Sequence, residues 1–183
     1  MADSAPPLVW VDLEMTGLDP DTCTIVEIAT IITDGELRLI AEGPNLIVHQ
    51  SDEVLATMNT FVRDLHARSG LTERVRSSTI SLAEAEAESL AFIQQHTEPG
   101  KSPLSGNSIW KDRAFLERYM PAFVKQLHYR MIDVSTIKEL TRRWYPEPFQ
   151  PPKKRETHRA LDDIRESIEE LRHYRSKVFV PLA

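Results

Sequence analysis

Leu8-Val9-Trp10-Val11-Asp12-Leu13, followed after a turn-rich stretch by Ile25-Val26-Glu27-Ile28-Ala29-Thr30-Ile31-Ile32-Thr33, is the part of the sequence on which the fold turns. The first run is short and mostly apolar, as a buried strand should be, and it ends at Asp12 and Glu14 before the turn formers Gly17, Asp19, Pro20 and Asp21. The second is rich in β-branched residues and closes at Asp34-Gly35, a hairpin signal. A third strand, Leu37 to Val48, completes an antiparallel meander. A bulge is expected in it near Gly43-Pro44, because proline cannot donate to a central ladder.

Outward from this meander, helices take over. Ser81-Leu82-Ala83-Glu84 has the capping-box pattern and opens a helix to about Gln95, which Pro99-Gly100 stops. Short strands at Pro103 to Gly106 and Met131 to Val134 alternate with helices at Lys111 to Met120 and Ser135 to Trp144, the pattern of parallel strands joined by crossovers. A last helix, about Arg159 to Ser176, aligns Leu161, Ile164, Ile168 and Leu171 on one face. The proline-rich, basic segment Tyr145 to Thr157 reads as a stiff loop rather than a linker. The sum is an α/β fold with a mixed five-stranded sheet, antiparallel meander plus parallel crossover strands, flanked by helices on both faces.

The 183 residues suit a single domain, 1–183, and 41% hydrophobic residues suffice for a core. With 22 basic against 28 acidic residues the net charge is -6, which disfavours a partner with a long phosphate backbone, long duplex nucleic acid included. Cys23 is the single cysteine, so only an intermolecular bridge is open to it, and a reducing, cytoplasmic setting is expected. No apolar run approaches the ~18 residues of a membrane span.

Asp12 and Glu14 lie two apart at a strand end, so both side chains share a face. A lone Asp-x-Glu is commonly just a solvated strand end, but here Trp10, Val11, Leu13 and Met15 surround it. Two carboxylates together suit a divalent cation, which takes oxygen ligands. Asp112 follows Ser105-Gly106-Asn107-Ser108, where a strand turns into a helix and open α/β sheets place ligands; taken singly it reads rather as an ordinary first-turn helix acid. His158 and Asp163 enter the last helix five residues apart, about 140° on an ideal helix, so they converge only if His158 lies on the incoming loop.

Asp12-Leu13-Glu14-Met15-Thr16-Gly17-Leu18, then Gly106-Asn107-Ser108 with Asp112, and His158 through Asp163 resemble the three motifs of the DEDDh 3′-to-5′ exonucleases, and within them the oligoribonucleases. His49-Gln50-Ser51-Asp52, His128-Tyr129-Arg130, Asp133-Val134-Ser135 and Arg142-Arg143-Trp144 carry the likeness from about Leu8 to Arg175. The resemblance implies an RNase H-like fold and a mechanism using two divalent metal ions, Mg²⁺ or Mn²⁺. It implies that Asp12, Glu14 and Asp163 hold the ion that activates the attacking water, that Asp12 also bridges to the second, that Asp112 completes the cage, and that His158 is the general base. Asp162 competes with Asp163, and the family pattern selects Asp163.

The resemblance further implies that very short RNA, dinucleotides above all, is cleaved to nucleoside 5′-monophosphates. Leu18 would wedge between two bases and Phe61, where relatives carry Trp, would stack on one; Phe61 as a core anchor of a Met58 to Leu65 helix is the competing reading. Ser108, Arg130 and Ser135 would capture the terminal phosphate, with His66 and Tyr129 nearby, the tyrosine reaching from the partner of a homodimer. Lys138, Arg142, Arg143, Lys153, Lys154, Arg155 and Arg159 would steer substrate, or form an ordinary solvated face. A broader exonuclease acting on longer RNA or DNA, and a silent nucleic-acid-binding relative, are the alternatives.

Overall fold

The computed structural model describes residues 5–151 and 159–179. Strands β1 (Leu8–Met15), β2 (Ile25–Thr33) and β3 (Leu39–Ile47) form the meander, and β4 (Leu104–Gly106) and β5 (Met131–Asp133) extend it in the order β3-β2-β1-β4-β5. β1–β2 and β2–β3 are antiparallel, whereas β4 pairs in parallel with both β1 and β5. The expected mixed five-stranded sheet is therefore present.

Between β3 and β4 lie helices α1 (Asp52–Leu55), α2 (Thr60–Arg68), α3 (Leu71–Ser77) and α4 (Leu82–Gln94). Between β4 and β5 lie α5 (Trp110–Tyr119) and α6 (Pro121–Gln126); α7 (Val134–Trp144) and α8 (Ala160–Lys177) close the chain. Among the described residues three apolar clusters form the core: one on each side of the sheet, and a third in which Leu55, Met58, Leu71 and Val75 pack on Val26 and Ile47. Odd-numbered β1 residues Val9, Val11 and Leu13 pack with Ala85, Ile93, Phe115 and Phe123, and even-numbered Leu8 and Trp10 pack with Ile164, Ile168 and Tyr174 of α8. Burial on both faces explains why β2 is apolar almost throughout.

Sequence and structure differ where turns and short helices are concerned. The β2–β3 turn is not a two-residue Asp-Gly hairpin: Asp34 Oδ1 accepts from the Glu36 and Arg38 amides, and Leu37 adopts φ 65° with its side chain buried. The third strand thus starts at Leu39 rather than Leu37. The bulge at Gly43-Pro44 is present, for the register shifts there, and a Cβ on Gly43 would lie 2.5 Å from the Phe92 ring. The capping box holds as read, Ser81 Oγ accepting from Glu84 N–H at 3.2 Å. Pro121 ends α5 by opening α6 at its first turn.

Candidate active site

The pleat that sends Trp10 into the α8 core sends Asp12 and Glu14 to the same face at the strand's C-terminal end. Facing them, α8 presents Asp163 from its first turn. Oxygens of Asp12, Glu14 and Asp163 all lie within 4.8 Å of one another. Asp162 points away and pairs with Arg165 at 3.1 Å. Asp112 approaches from α5, its Oδ1 accepting from Leu13 N–H at 3.0 Å. That bond joins the helix carrying one acid to the strand carrying two others.

The electrostatics of this corner are those of crowded carboxylates. Burial, then the charges of Asp163, Glu27 and Asp112, push the Glu14 carboxyl up to about 8. Burial likewise raises Asp112 to about 7, against the opposing pull of the Leu13 amide. Glu27, directly across from Glu14 in the β1–β2 ladder, is 0% exposed and raised by burial, with the Arg74 guanidinium 3.9 Å away pulling the other way. Carboxylates this close are held together most economically by a divalent cation, and an all-oxygen donor set is the one hard cations take. The residues present fit the metal ions that the sequence implied.

His66 was expected at a terminal-phosphate pocket. It is instead 3% exposed beneath the acids, its Nε2 donating to the Met15 carbonyl at 2.9 Å and its Nδ1 facing Glu14 at 3.9 Å. Because a carbonyl only accepts, Nε2 carries a proton, and Nδ1 is the nitrogen turned toward the carboxylate. Ser108 and Ser135 do converge, through Asp133. One oxygen, Asp133 Oδ1, accepts from Ser108 N–H at 2.9 Å, Ser135 N–H at 2.9 Å and the Ser135 hydroxyl at 2.6 Å. It holds Ser108 at φ 52°, a left-handed conformation costing a non-glycine residue about 1–3 kcal/mol. Arg130 stands at the other end of β5, about 10 Å away along the strand, its guanidinium 5.3 Å over the Tyr129 ring.

Leu18 and Phe61 are 67% and 71% exposed, so Phe61 is no core anchor; it projects from α2. Tyr129 is 70% exposed, and Trp110 and Trp144 are also uncovered. Lys138 does not belong to a steering face: its Nζ lies 2.9 Å from Glu170, a buried acid that also accepts from Asn107 and Tyr174. Asn107 in turn donates to Ser167 Oγ at 2.8 Å, and that hydroxyl donates to the Asp163 carbonyl at 2.7 Å. The second motif is thereby tied to the helix of the third. Arg142 and Arg143 pair with Glu139, and Arg159 donates to the Ser69 carbonyl. His158, with Lys153, Lys154 and Arg155, lies outside the described residues.

Sequence reasoning missed Glu27, Asp133 as the link between the two serines, and the Glu170 network. Glu27 did leave a signal, as a lone acid in an apolar β-branched run; Asp133 left the weaker one of a helix N-cap.

A family model described as Exonuclease, RNase_T, matches residues 9–171. A human relative, "Oligoribonuclease, mitochondrial", is 56% identical over 176 residues, covering 96% of this chain and 74% of the relative. The "Oligoribonuclease" of Pseudomonas entomophila is 58% identical over 168 residues, 92% of this chain and 93% of that one. Among solved structures, exonuclease I of Methylocaldum szegediense superposes with a TM-score of 0.70 at 21% identity, over 95% of this chain. E. coli exonuclease I bound to an oligonucleotide gives a TM-score of 0.70 at 16% identity, over 94% of this chain. This chain spans only 41% of the length of each of those two, and at such identity the likeness speaks to the fold, which is RNase H-like. Among the described residues no helix is long and apolar enough to cross a membrane. With an exonuclease model along most of its length and more than half its residues shared with named members, the chain belongs to the oligoribonuclease family of exonucleases.

Proposed function

We propose that this protein is a metal-dependent 3′-to-5′ exoribonuclease that cleaves very short RNA, chiefly dinucleotides, to nucleoside 5′-monophosphates. The observation that carries the reading is the convergence of Asp12, Glu14 and Asp163 from two elements onto one point, with Asp112 bonded to the strand between them. These acids would hold two divalent ions, Mg²⁺ or Mn²⁺, which when bound supply positive charge to the attacking and leaving oxygens of an in-line displacement.

The chain's own groups do the rest. His158 takes the proton from the attacking water, a role suited to an imidazole at neutral pH. His66, whose Nε2 donates to the Met15 carbonyl, packs beneath Glu14 and limits where that side chain can go. The exposed faces of Leu18 and Phe61 receive the bases, and stacking on an aromatic ring is sequence-tolerant. The Ser108 hydroxyl, on a turn that Asp133 holds open, offers a donor to a terminal phosphate, and the Ser135 hydroxyl would join it by turning from Asp133. Arg130, at the far end of β5, adds a guanidinium suited to forked phosphate contact. That end of the pocket is what limits substrate length. The exposed Tyr129, Trp110 and Trp144 suit a homodimer interface, across which Tyr129 would enter the partner's site. A lone cysteine suits the cytoplasm.

The test is metal rescue with product analysis. Protein stripped of metal with a chelator should be inactive on a 5′-phosphorylated dinucleotide, and Mg²⁺ or Mn²⁺ should restore its hydrolysis to two nucleoside 5′-monophosphates. Cleavage in chelator, or a 3′-monophosphate product, would rule the reading out.

A further inference from the structure

The loop after β1 carries Leu18 with its side chain in solvent but its backbone secured. Its own residues close it, since Asp19 accepts from the Asp21 amide at 3.0 Å and from the Thr22 hydroxyl at 3.1 Å. Further ties come from α5, among them Arg118 donating to Asp21 at 2.8 Å. Lys111 Nζ donates to the Leu18 carbonyl at 2.9 Å, and the Tyr119 hydroxyl lies 3.0 Å from the Pro20 carbonyl and 2.7 Å from that of Cys23. Lys111 and Tyr119 are two turns apart on α5, so both fall on one side of it. Between them Phe115 is fully buried, anchoring the helix to the core. The neighbouring residue, Asp112, bonds the Leu13 amide. The first turn of α5 thus grips the chain on both sides of Glu14, at Leu13 and at Leu18.

We propose that Lys111 is a positioning residue for substrate-length selection, fixing the Leu18 side chain between the two bases of a dinucleotide by holding its carbonyl, with Tyr119 supporting the same loop. The inference rests on the reading of Leu18 as a base wedge. A wedge on a free loop must be ordered each time substrate binds, and an ordered one avoids that entropic cost. Lys111 needs no contact with RNA to act in this way. Its ammonium also lies 4.4 Å from the centre of the exposed Trp110 ring, which further restricts where the lysine can go.

The experiment is a double-mutant cycle of Lys111→Met and Leu18→Ala. It is read as kcat/KM on a dinucleotide divided by kcat/KM on the p-nitrophenyl ester of a nucleoside 5′-monophosphate, which has one base and nothing to wedge. One hydrogen bond of this kind is worth a factor of about three to ten, so Lys111→Met should lower the ratio by that factor through a higher KM for the dinucleotide. In the Leu18→Ala background it should lower the ratio no further, and Lys111→Arg should recover part of the loss. If Leu18→Ala leaves the ratio unchanged, the wedge reading falls and the inference with it. If Leu18→Ala lowers the ratio but Lys111→Met does not, or lowers it equally in both backgrounds, the inference alone is overturned. Should Lys111→Met unfold, Tyr119→Phe enters the same cycle with the same expectation and the same refuting result.

Discussion

Changing Glu14 to glutamine should stabilise the metal-free protein while abolishing its nuclease activity. Burial and the charges of Asp163, Glu27 and Asp112 hold this carboxyl at about 8, whereas an unfolded chain ionises it near the ordinary 4.5. The folded state binds the proton more tightly. Its contribution is therefore intact below pH 4.5 and is lost as the pH rises toward 8, the reverse of a salt-bridged acid. At pH 7 the gap between 4.5 and the ambient pH corresponds to about 3 kcal/mol, a ceiling because Asp112 and Asp163 titrate in the same field. Glutamine keeps the volume and carries no charge. At pH 7.5 in chelator, Glu14→Gln should raise the unfolding free energy by about 1–3 kcal/mol, or roughly 2–10 °C in Tm, and at pH 4.5 the gain should disappear. Added Mn²⁺ should raise the Tm of the unaltered protein more at pH 8 than at pH 5, and that of the variant little at either. Differential scanning calorimetry across this pH range reads every arm. A variant that unfolds at the same or lower temperature at pH 7.5, or gains equally at pH 4.5, would refute the electrostatic account of the site.

Three further outcomes follow from the same geometry. Asp163→Asn should reduce dinucleotide cleavage by at least about 10³-fold, while Asp162→Asn, already paired with Arg165 at the surface, should stay within about twofold; similar losses in both would undo the choice between adjacent acids. Phe61→Ala should raise the dinucleotide KM about five- to tenfold without lowering the Tm, since that ring is 71% exposed; a drop in Tm with unchanged KM would return Phe61 to a structural role. His158→Ala should slow turnover roughly 10²–10⁴-fold and keep the Tm increase caused by Mn²⁺; an unchanged rate would assign the proton to another base.

The meander was legible because β-branched runs and turn residues are local signals, and the Asp12–Glu14 pair because strand alternation alone puts both on one face. The convergence of Asp163 on that pair came only through the family likeness, since an amphipathic helix does not say which strand it crosses. Leu37 escaped because nothing in an apolar residue announces a left-handed backbone; the turn is imposed by Asp34 accepting two amides. Helices α1, α3 and α6, of four, seven and six residues, are too short for a 3.6-residue period to show. Lys138 looked like surface charge until the structure turned it inward to Glu170, and Lys111 drew no notice until α5 and the Leu18 loop were seen side by side. Both involve partners far away in sequence, which composition and periodicity do not report.

Digestion of a single RNA series from two to ten nucleotides, with Mn²⁺ and each length at the same concentration, tests the central claim most directly. On the proposed reading kcat/KM should be highest for the dinucleotide and fall at least about tenfold by the tetranucleotide, because Ser108, Arg130 and Ser135 would hold a terminal phosphate there. Equal rates along the series would contradict it, and would make this chain a general 3′-end exonuclease instead.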